Sequence, residues 1–182
     1  MVGIKNNRRA QYTRQVIQDA VLSLLEDKSI NDIKVTEVCK LADINRTTFY
    51  RYYDDVFKCV EGIETEFIES LDADEDLKPE QAFEKVLNAF YNQKRLSNLV
   101  FVEGKTKLLD RIQQTVENSG KGKPQLDEDD QYQEVYMMSG MMAIMKQWVK
   151  NGMIETPKEL SKIMIRIIFA DNIQSLRDQI EG

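Results

Sequence analysis

The sequence predicts an all-α fold, and three observations support this prediction. Helix-forming residues dominate, and only three prolines and eight glycines interrupt the 182 residues. Apolar residues recur at intervals of three and four, which places them on one face of a helix. The alternation of apolar and polar residues that is typical of strands is almost absent.

The N-terminal region is predicted to contain three helices. The first runs from about Ala10 to Glu26, with an apolar face between Val16 and Leu25. A short second helix covers about Val35 to Leu41. The tight turn 42–44 follows, and a third helix starts at Arg46 with Asn45, a favourable capping residue, before it.

The remaining sequence predicts further helices. A fourth covers about Asp55 to Leu71, and the acidic residues 72–76 after it are expected to be a solvated linker. Pro79 is placed to start the next helix. A helical region spans roughly Ser97 to Glu117, where Gly104 is expected to break it in two.

Residues 118–130 are predicted to be a loop. Their glycines and lysines lack the spacing and the preceding strand of a phosphate-binding loop. Two long helices, about Gln131–Lys150 and Pro157–Gln179, then close the chain on either side of Asn151-Gly152.

Composition limits the class of protein. With 42% hydrophobic and 31% charged residues, the chain is expected to be globular. It has no apolar run near the ~20 residues of a membrane span, and residues 1–14 lack the apolar segment of a signal peptide. We therefore expect a cytoplasmic protein without membrane contact.

The sequence contains no histidine, and its two cysteines, Cys39 and Cys59, lie far apart. This disfavours a zinc site and a disulfide framework, and we expect two buried thiols rather than a redox switch. Histidine is also the commonest general base. We therefore expect neither a metal nor a cofactor, and no enzymatic activity.

Charge is distributed unevenly along the chain. Residues 1–53 hold nine Lys/Arg and six Asp/Glu, whereas residues 54–182 hold sixteen and twenty-five. A basic end joined to an acidic body is typical of a protein that presents one end to a polyanion such as DNA.

The segment 35–53 carries the strongest functional signal, because two short helices joined by a tight turn predict a helix-turn-helix. Arg46 and Thr47 lie at the start of its second helix, where side chains reach base edges. Arginine can bind O6 and N7 of guanine, and threonine can contact a base or a thymine methyl group. Phe49 is expected to face the core. The side chains suited to base or phosphate contacts are completed by Thr48, Tyr50, Arg51 and Tyr52.

The segment Ile44–Tyr53 resembles the recognition helix of the TetR family of regulators. Val35, Val38-Cys39 and Ala42 are similar to its preceding helix, and the resemblance extends over about Thr13 to Val60. Residues 148–152, with Pro157 after them, are similar to the end of one C-terminal domain type of the family.

The resemblance implies a DNA-binding domain over residues 1–54 and a C-terminal dimerisation and ligand-binding domain over 55–182, with 55–71 as a connecting helix. It implies a homodimer that pairs its last two helices and binds a palindromic operator, usually as a repressor. Arg46, Thr47 and Tyr50 would read bases, and Thr36, Thr48 and Tyr52 would contact phosphates. The full DNA-binding set is Lys34, Thr36, Asn45, Arg46, Thr47, Thr48, Tyr50, Arg51 and Tyr52.

Three positions depart from the family pattern. Asp43 stands where glycine is usual, Lys34 where a capping threonine is usual, and Val56 where a phosphate-binding lysine is usual. Lys34 cannot cap a helix but can reach a phosphate. Basic residues of the N-terminal arm and first helix are expected to compensate for Val56: Lys5, Arg8, Arg9 and Arg14.

The methionine-rich residues 137–145 suit either a helix–helix seam or an adaptable pocket, and a core or dimer role is preferred for each methionine. A pocket would take a small apolar or amphipathic effector. Its candidate lining residues are Phe83, Phe90, Tyr91, Phe101, Tyr136, Met137 and Met141. Two alternatives remain: a DNA-binding regulator controlled by a protein partner, and a helical enzyme or scaffold that does not bind DNA.

Overall fold

The structure, a computed structural model, describes residues 8–71, 79–118 and 128–167. Every regular element within these ranges is a helix, which confirms the predicted all-α class. None of the helices there combines the length and the apolar character needed to cross a membrane.

The N-terminal helices are α1 (Arg8–Asp27), α2 (Val35–Leu41), α3 (Arg46–Tyr52) and α4 (Val56–Ser70). A short 3-10 turn, Ile30–Asp32, lies between α1 and α2. The predicted α1 was shorter by a few residues, and α2, α3 and α4 agree with prediction to within one residue at the ends that were predicted.

A tight apolar core holds these helices together. Ile17, Val21 and Leu25 of α1 follow one another at intervals of four and are fully buried. They belong to the same core as Val38 of α2 and Phe49 of α3, which are also fully buried. Burial of each large apolar side chain stabilises the fold by roughly 1.5–3 kcal/mol.

The C-terminal helices are α5 (Pro79–Asn92), α6 (Lys94–Phe101), α7 (Leu108–Asn118), α8 (Glu128–Lys150) and α9, described over 157–167. Proline is the first residue of both α5 and α9, as predicted. The helix α8 starts three residues before the predicted position.

Gly104 separates α6 from α7, as predicted, and its φ of 62° lies in the left-handed region. Lys105 N–H then donates to Leu99 O at 2.9 Å, which closes the end of α6. Gly152 and Met153, with φ of 82° and 57°, form the turn between α8 and α9.

Four sequence predictions fall partly or wholly outside the described residues. They concern Lys5, the acidic linker 72–76, most of the loop 118–130 and the extension of α9 to Gln179. The predicted division at residue 54 stays a prediction. The buried core includes residues on both sides of it, from α1 to α9.

Polar contacts join the N-terminal helices to the C-terminal ones. The ammonium of Lys105 donates to Leu25 O at 2.6 Å and to Glu26 O at 2.8 Å, at the C-terminal end of α1. On the other side, Arg111 of α7 donates to the buried carboxylate of Glu64 in α4 at 2.9 Å. The helix-turn-helix is thus connected to the C-terminal helices through both α1 and α4.

Candidate DNA-binding surface

The start of α3 is fixed by its cap. Asn45 Oδ1 accepts hydrogen bonds from Thr48 N–H at 2.8 Å and from the Thr48 hydroxyl at 3.0 Å. This confirms the predicted capping role of Asn45. These bonds engage the Oδ1 of Asn45 within the helix, and its predicted contact with DNA stays a prediction.

One face of α3 is buried and the other is open to solvent. Phe49 points into the core, as predicted, while Arg46, Thr47, Tyr50 and Arg51 are exposed. Thr48 and Tyr52 are partly buried beside that exposed face. A short helix with arginine and threonine at its exposed N-terminal end has the side chains that read base edges in a major groove.

The turn before α3 contains the predicted departure from glycine. Asp43 adopts a φ of 51°, a left-handed conformation that aspartate tolerates better than most residues. Ile44 N–H donates to Cys39 O at 3.0 Å across the turn. This geometry sets the angle between α2 and α3.

The start of α2 presents Lys34 and Thr36, both exposed. The side chain of Lys34 makes no capping hydrogen bond, as predicted. Glu37 compensates, because its carboxylate accepts from the backbone N–H of Lys34 at 3.1 Å. Lys34 is therefore exposed at the start of α2, and its side chain is not used as a helix cap.

Two exposed side chains of α3 contact each other. The Nη2 of Arg46 donates to the hydroxyl of Tyr50 at 3.3 Å, and its guanidinium carbon lies 5.7 Å from the Tyr50 ring centroid. This hydrogen bond is the main reason that the pKa of Arg46 is raised. Two of the three predicted base readers, Arg46 and Tyr50, therefore form a pair.

A polar network that sequence reasoning missed anchors the end of α3. Gln18, buried in α1, donates to the hydroxyl of Tyr53 at 3.0 Å and to Glu66 of α4 at 2.9 Å. Tyr53 also packs near Phe49, with ring centroids 6.1 Å apart. A signal in the sequence was the glutamine within the otherwise apolar face of α1.

Gly62 of α4 belongs to the same anchor. A Cβ at this position would approach Cε1 of Tyr53 to 3.1 Å, which is tighter than an ordinary contact. The missing side chain allows the Tyr53 ring to lie against α4. Tyr53 is therefore a packing residue.

The structure shows the surroundings of Val56, which replaces the usual phosphate-binding lysine, and of Arg14, which was expected to compensate for it. Val56 is buried at the start of α4 and follows two exposed aspartates, Asp54 and Asp55. Arg14 is paired with Glu66 at 2.8 Å, and this bond raises the pKa of Arg14. Arg14 therefore helps to hold α1 against α4, and its expected role as a substitute phosphate contact is not supported by this geometry.

The predicted effector residues do not all come together. Phe90 and Phe101 are buried with ring centroids 4.9 Å apart, and Phe67 of α4 lies 4.6 Å from Phe90. Tyr91 stacks on Trp148 at 6.0 Å. Phe83 and Met141 are partly buried against this core, and the side chain of Met137 lies outside the described residues.

Tyr136 is 68% exposed on α8, whereas the aromatic layer of Phe67, Phe90 and Phe101 is buried. The sequence could not show that Tyr136 is exposed while Phe90 is buried, because α8 carries apolar residues over much of its circumference and so has no single apolar face. The described residues contain no group of three or more His, Cys, Asp or Glu that could hold a metal ion.

Residues 78–170 match a family model described as the C-terminal region of transcriptional regulators of the TetR type. The match covers half of the chain and lies outside the helix-turn-helix. No protein of curated function matches the sequence.

Solved structures share the fold at low sequence identity. A TetR transcriptional regulator from Streptococcus agalactiae superposes with a TM-score of 0.63 at 20% identity, covering 88% of this chain and 96% of that one. A dihydroxyacetone kinase operon activator, DhaS, gives 0.57 at 18% identity, covering 87% and 95%. The regulator FadR from Bacillus subtilis, solved with stearoyl-CoA, gives 0.57 at 16% identity, covering 85% and 96%.

Proposed function

The chain belongs to the TetR family of transcriptional regulators, and from this premise we propose that it is a homodimeric, sequence-specific DNA-binding repressor. The observation that carries the proposal is the exposed face of α3, with Arg46 and Thr47 at its capped N-terminal end. The buried Phe49 fixes which face of the helix is turned outward.

Base reading is assigned to Arg46, Thr47 and Tyr50. The guanidinium of Arg46 can donate to O6 and N7 of a guanine, and Thr47 can bind a base edge or pack on a thymine methyl group. Thr36, Thr48 and Tyr52 supply hydroxyls, and Lys34 and Arg51 supply charge, for the flanking phosphates. Few cations contribute in total, so the salt dependence of binding is expected to be modest.

Dimerisation is proposed from the surface of α8. Four of its exposed apolar side chains recur at intervals of three and four: Tyr132, Val135, Met138 and Met142. This spacing forms one stripe on a 23-residue helix, and removal of the stripe from water by a second copy would stabilise a dimer. Two heads would then read half-sites about 34–36 Å apart, which requires a palindromic operator.

Release from DNA is proposed to follow the binding of an apolar or amphipathic effector among the C-terminal helices. FadR, which shares the fold, was solved with stearoyl-CoA, and the aromatic layer around Phe90 and Tyr91 would offer apolar contacts. An effector shifts the dimer only by its difference in affinity between the two states.

Control by a protein partner is the second candidate. A thermal-shift series with long-chain acyl-CoA and other amphipathic ligands separates the two mechanisms. Stabilisation without a protein partner favours the effector, whereas no response across the series favours the partner.

DNA reading is tested first by enriching genomic fragments on the purified protein. Fluorescence anisotropy at two salt concentrations then compares wild type, Arg46→Ala and the control Lys150→Ala, which removes one exposed charge from the end of α8. Arg46→Ala should lose about 1–3 kcal/mol of preference for the enriched fragment. Equal preference in Arg46→Ala and wild type would refute the assignment of α3 as the recognition helix.

A further inference from the structure

Arg46 and Tyr50 lie one helical turn apart on the exposed face of α3, at positions i and i+4. The Arg46 guanidinium makes two contacts with Tyr50, a 3.3 Å hydrogen bond to its hydroxyl and an approach of 5.7 Å to its ring centroid. Both interactions form within one helix before any DNA is present. Arg46, a proposed base reader, therefore has a partner on its own helix face in the free protein.

Tyr50 is well placed to hold another side chain, because its own ring is positioned by the core. The rings of Tyr50 and Phe49 meet edge to face, at 5.6 Å and 90°. Phe49 is fully buried. The backbone at Arg46 is fixed in turn by the Asn45 cap, so both ends of the Arg46–Tyr50 contact are anchored.

We propose that Tyr50 is a positioning residue that orients Arg46 for one guanine, rather than an independent reader of its own base. This inference rests on the proposed function of α3. It refines the sequence prediction, in which Tyr50 contacts a base directly.

The chemistry of the guanidinium permits this arrangement. Arginine has five N–H donors in a fixed plane, and the Tyr50 hydroxyl takes one of them. The remaining donors are sufficient for the two acceptors of guanine. On this proposal the contact with Tyr50 orders the side chain before DNA is bound, so less conformational entropy is lost when it binds the base.

The proposal predicts that loss of the Tyr50 hydroxyl matters only when Arg46 is present. Tyr50→Phe keeps the ring and the edge-to-face contact but removes the hydrogen-bond acceptor. We expect it to lower the ratio of operator to scrambled-DNA affinity by about three- to tenfold. The same change in an Arg46→Ala background should have no further effect.

The test is a double-mutant cycle by fluorescence anisotropy with wild type, Arg46→Ala, Tyr50→Phe and the double variant. Each protein is measured on the enriched operator and on a set of operator variants. Each variant replaces a single base pair, and together they cover one half-site. Tyr50→Phe should flatten the preference at the same base pair as Arg46→Ala and at no other. A thermal melt confirms that each variant is folded.

Two results would overturn the proposal while the proposed function stands. In the first, the affinity ratio of the double variant falls by the product of the two single-variant factors, or Tyr50→Phe weakens the preference at a different base pair from Arg46→Ala. Either outcome would mean that Tyr50 contacts DNA on its own. In the second, Tyr50→Phe reads the operator like wild type while Arg46→Ala does not. If Arg46→Ala itself keeps the wild-type preference, the DNA-reading role of α3 fails, and the positioning role fails with it.

Discussion

Single residues inside the N-terminal helices determine where the exposed side chains of α3 lie. Gln18 joins Tyr53 and Glu66 by hydrogen bonds of 3.0 and 2.9 Å, and Gly62 makes room for the Tyr53 ring. None of these four residues lies on the exposed face of α3. They act on DNA reading by fixing the end of α3 between α1 and α4.

Cys59, next to this network, gives a prediction about pH. Burial raises the pKa of its thiol to about 12, well above the ordinary 9.0. The unfolded chain therefore releases this proton first as the pH rises above about 9, and the free energy of unfolding falls by at most about 1.4 kcal/mol per pH unit. Urea unfolding between pH 8 and 10 should show this loss.

The Cys59→Ala variant supplies the control for this prediction. It lacks the thiol, so its stability should fall less steeply with pH than that of wild type, whatever its stability at pH 8. Burial also raises the pKa of Tyr53, and Cys59 adds to that shift, so the variant reports the loss of the thiol together with its effect on Tyr53. Equal slopes in the two proteins would contradict the role of Cys59.

The residue-scale features that sequence could predict are local ones. Asn45 precedes the first turn of α3, and Asp43 sits in a turn whose length demands a left-handed residue. The bond between Gln18 and Tyr53 spans 35 positions in sequence. No periodicity or motif connects such residues, because their contact depends on how α1 crosses the helix-turn-helix.

At the scale of elements, the C-terminal end of α1 is held by the segment after α6. Lys105 donates to the carbonyls of Leu25 and Glu26, which lack partners within the helix, and pairs with Glu103 at 2.7 Å. Its positive charge also complements the negative end of the helix dipole. Arg95 adds a 3.0 Å bond to Glu26 at the same place.

Lys105→Met should separate the hydrogen bonds and the charge of Lys105 from its packing, because methionine has a similar apolar side chain without the ammonium. We expect a loss of about 1–2 kcal/mol in the free energy of unfolding, from the two carbonyl bonds and the helix-end charge. Urea unfolding at fixed protein concentration measures it. Lys58→Met, which breaks an exposed pair with Glu61 within α4, is the matched control and should change stability little. A similar loss in both variants would argue against the Lys105 contact.

Helix boundaries were predictable where a residue imposes them. Gly104 and Pro157 break or start helices because of their own backbone preferences. The start of α8 was placed three residues late, because Glu128-Asp129-Asp130 read as part of a polar loop. Acidic residues are nevertheless favourable in a first helical turn.

At the scale of the whole molecule, α1 and α4 join the N-terminal helices to the C-terminal ones. The buried carboxylate of Glu64 accepts from Lys107 N–H at 2.9 Å and from Arg111 at 2.9 Å, so α4 is fastened to the start of α7. Lys105 fastens α1 just before it. The segment 103–111 therefore contacts both of the helices that flank α2 and α3.

Dimerisation can be tested at this same scale through the apolar stripe of α8. Met138 and Met142 lie one turn apart and are 45% and 37% exposed in the single chain. The double variant Met138→Glu, Met142→Glu places two like charges in a surface that is proposed to pair with its own copy. Because each charge would have to leave water, the dimer should dissociate at micromolar concentration.

Sedimentation equilibrium measures this outcome, and DNA binding reports its consequence. The double variant should have the mass of one chain, keep the helical content of wild type and lose most of its affinity for the palindrome, while its binding to a single half-site remains unchanged. Gln147→Glu, an exposed change on the same helix outside the stripe, should remain dimeric. A double variant that stays dimeric would place the dimer interface elsewhere, and a wild-type protein that is monomeric under these conditions would remove the basis for a palindromic operator.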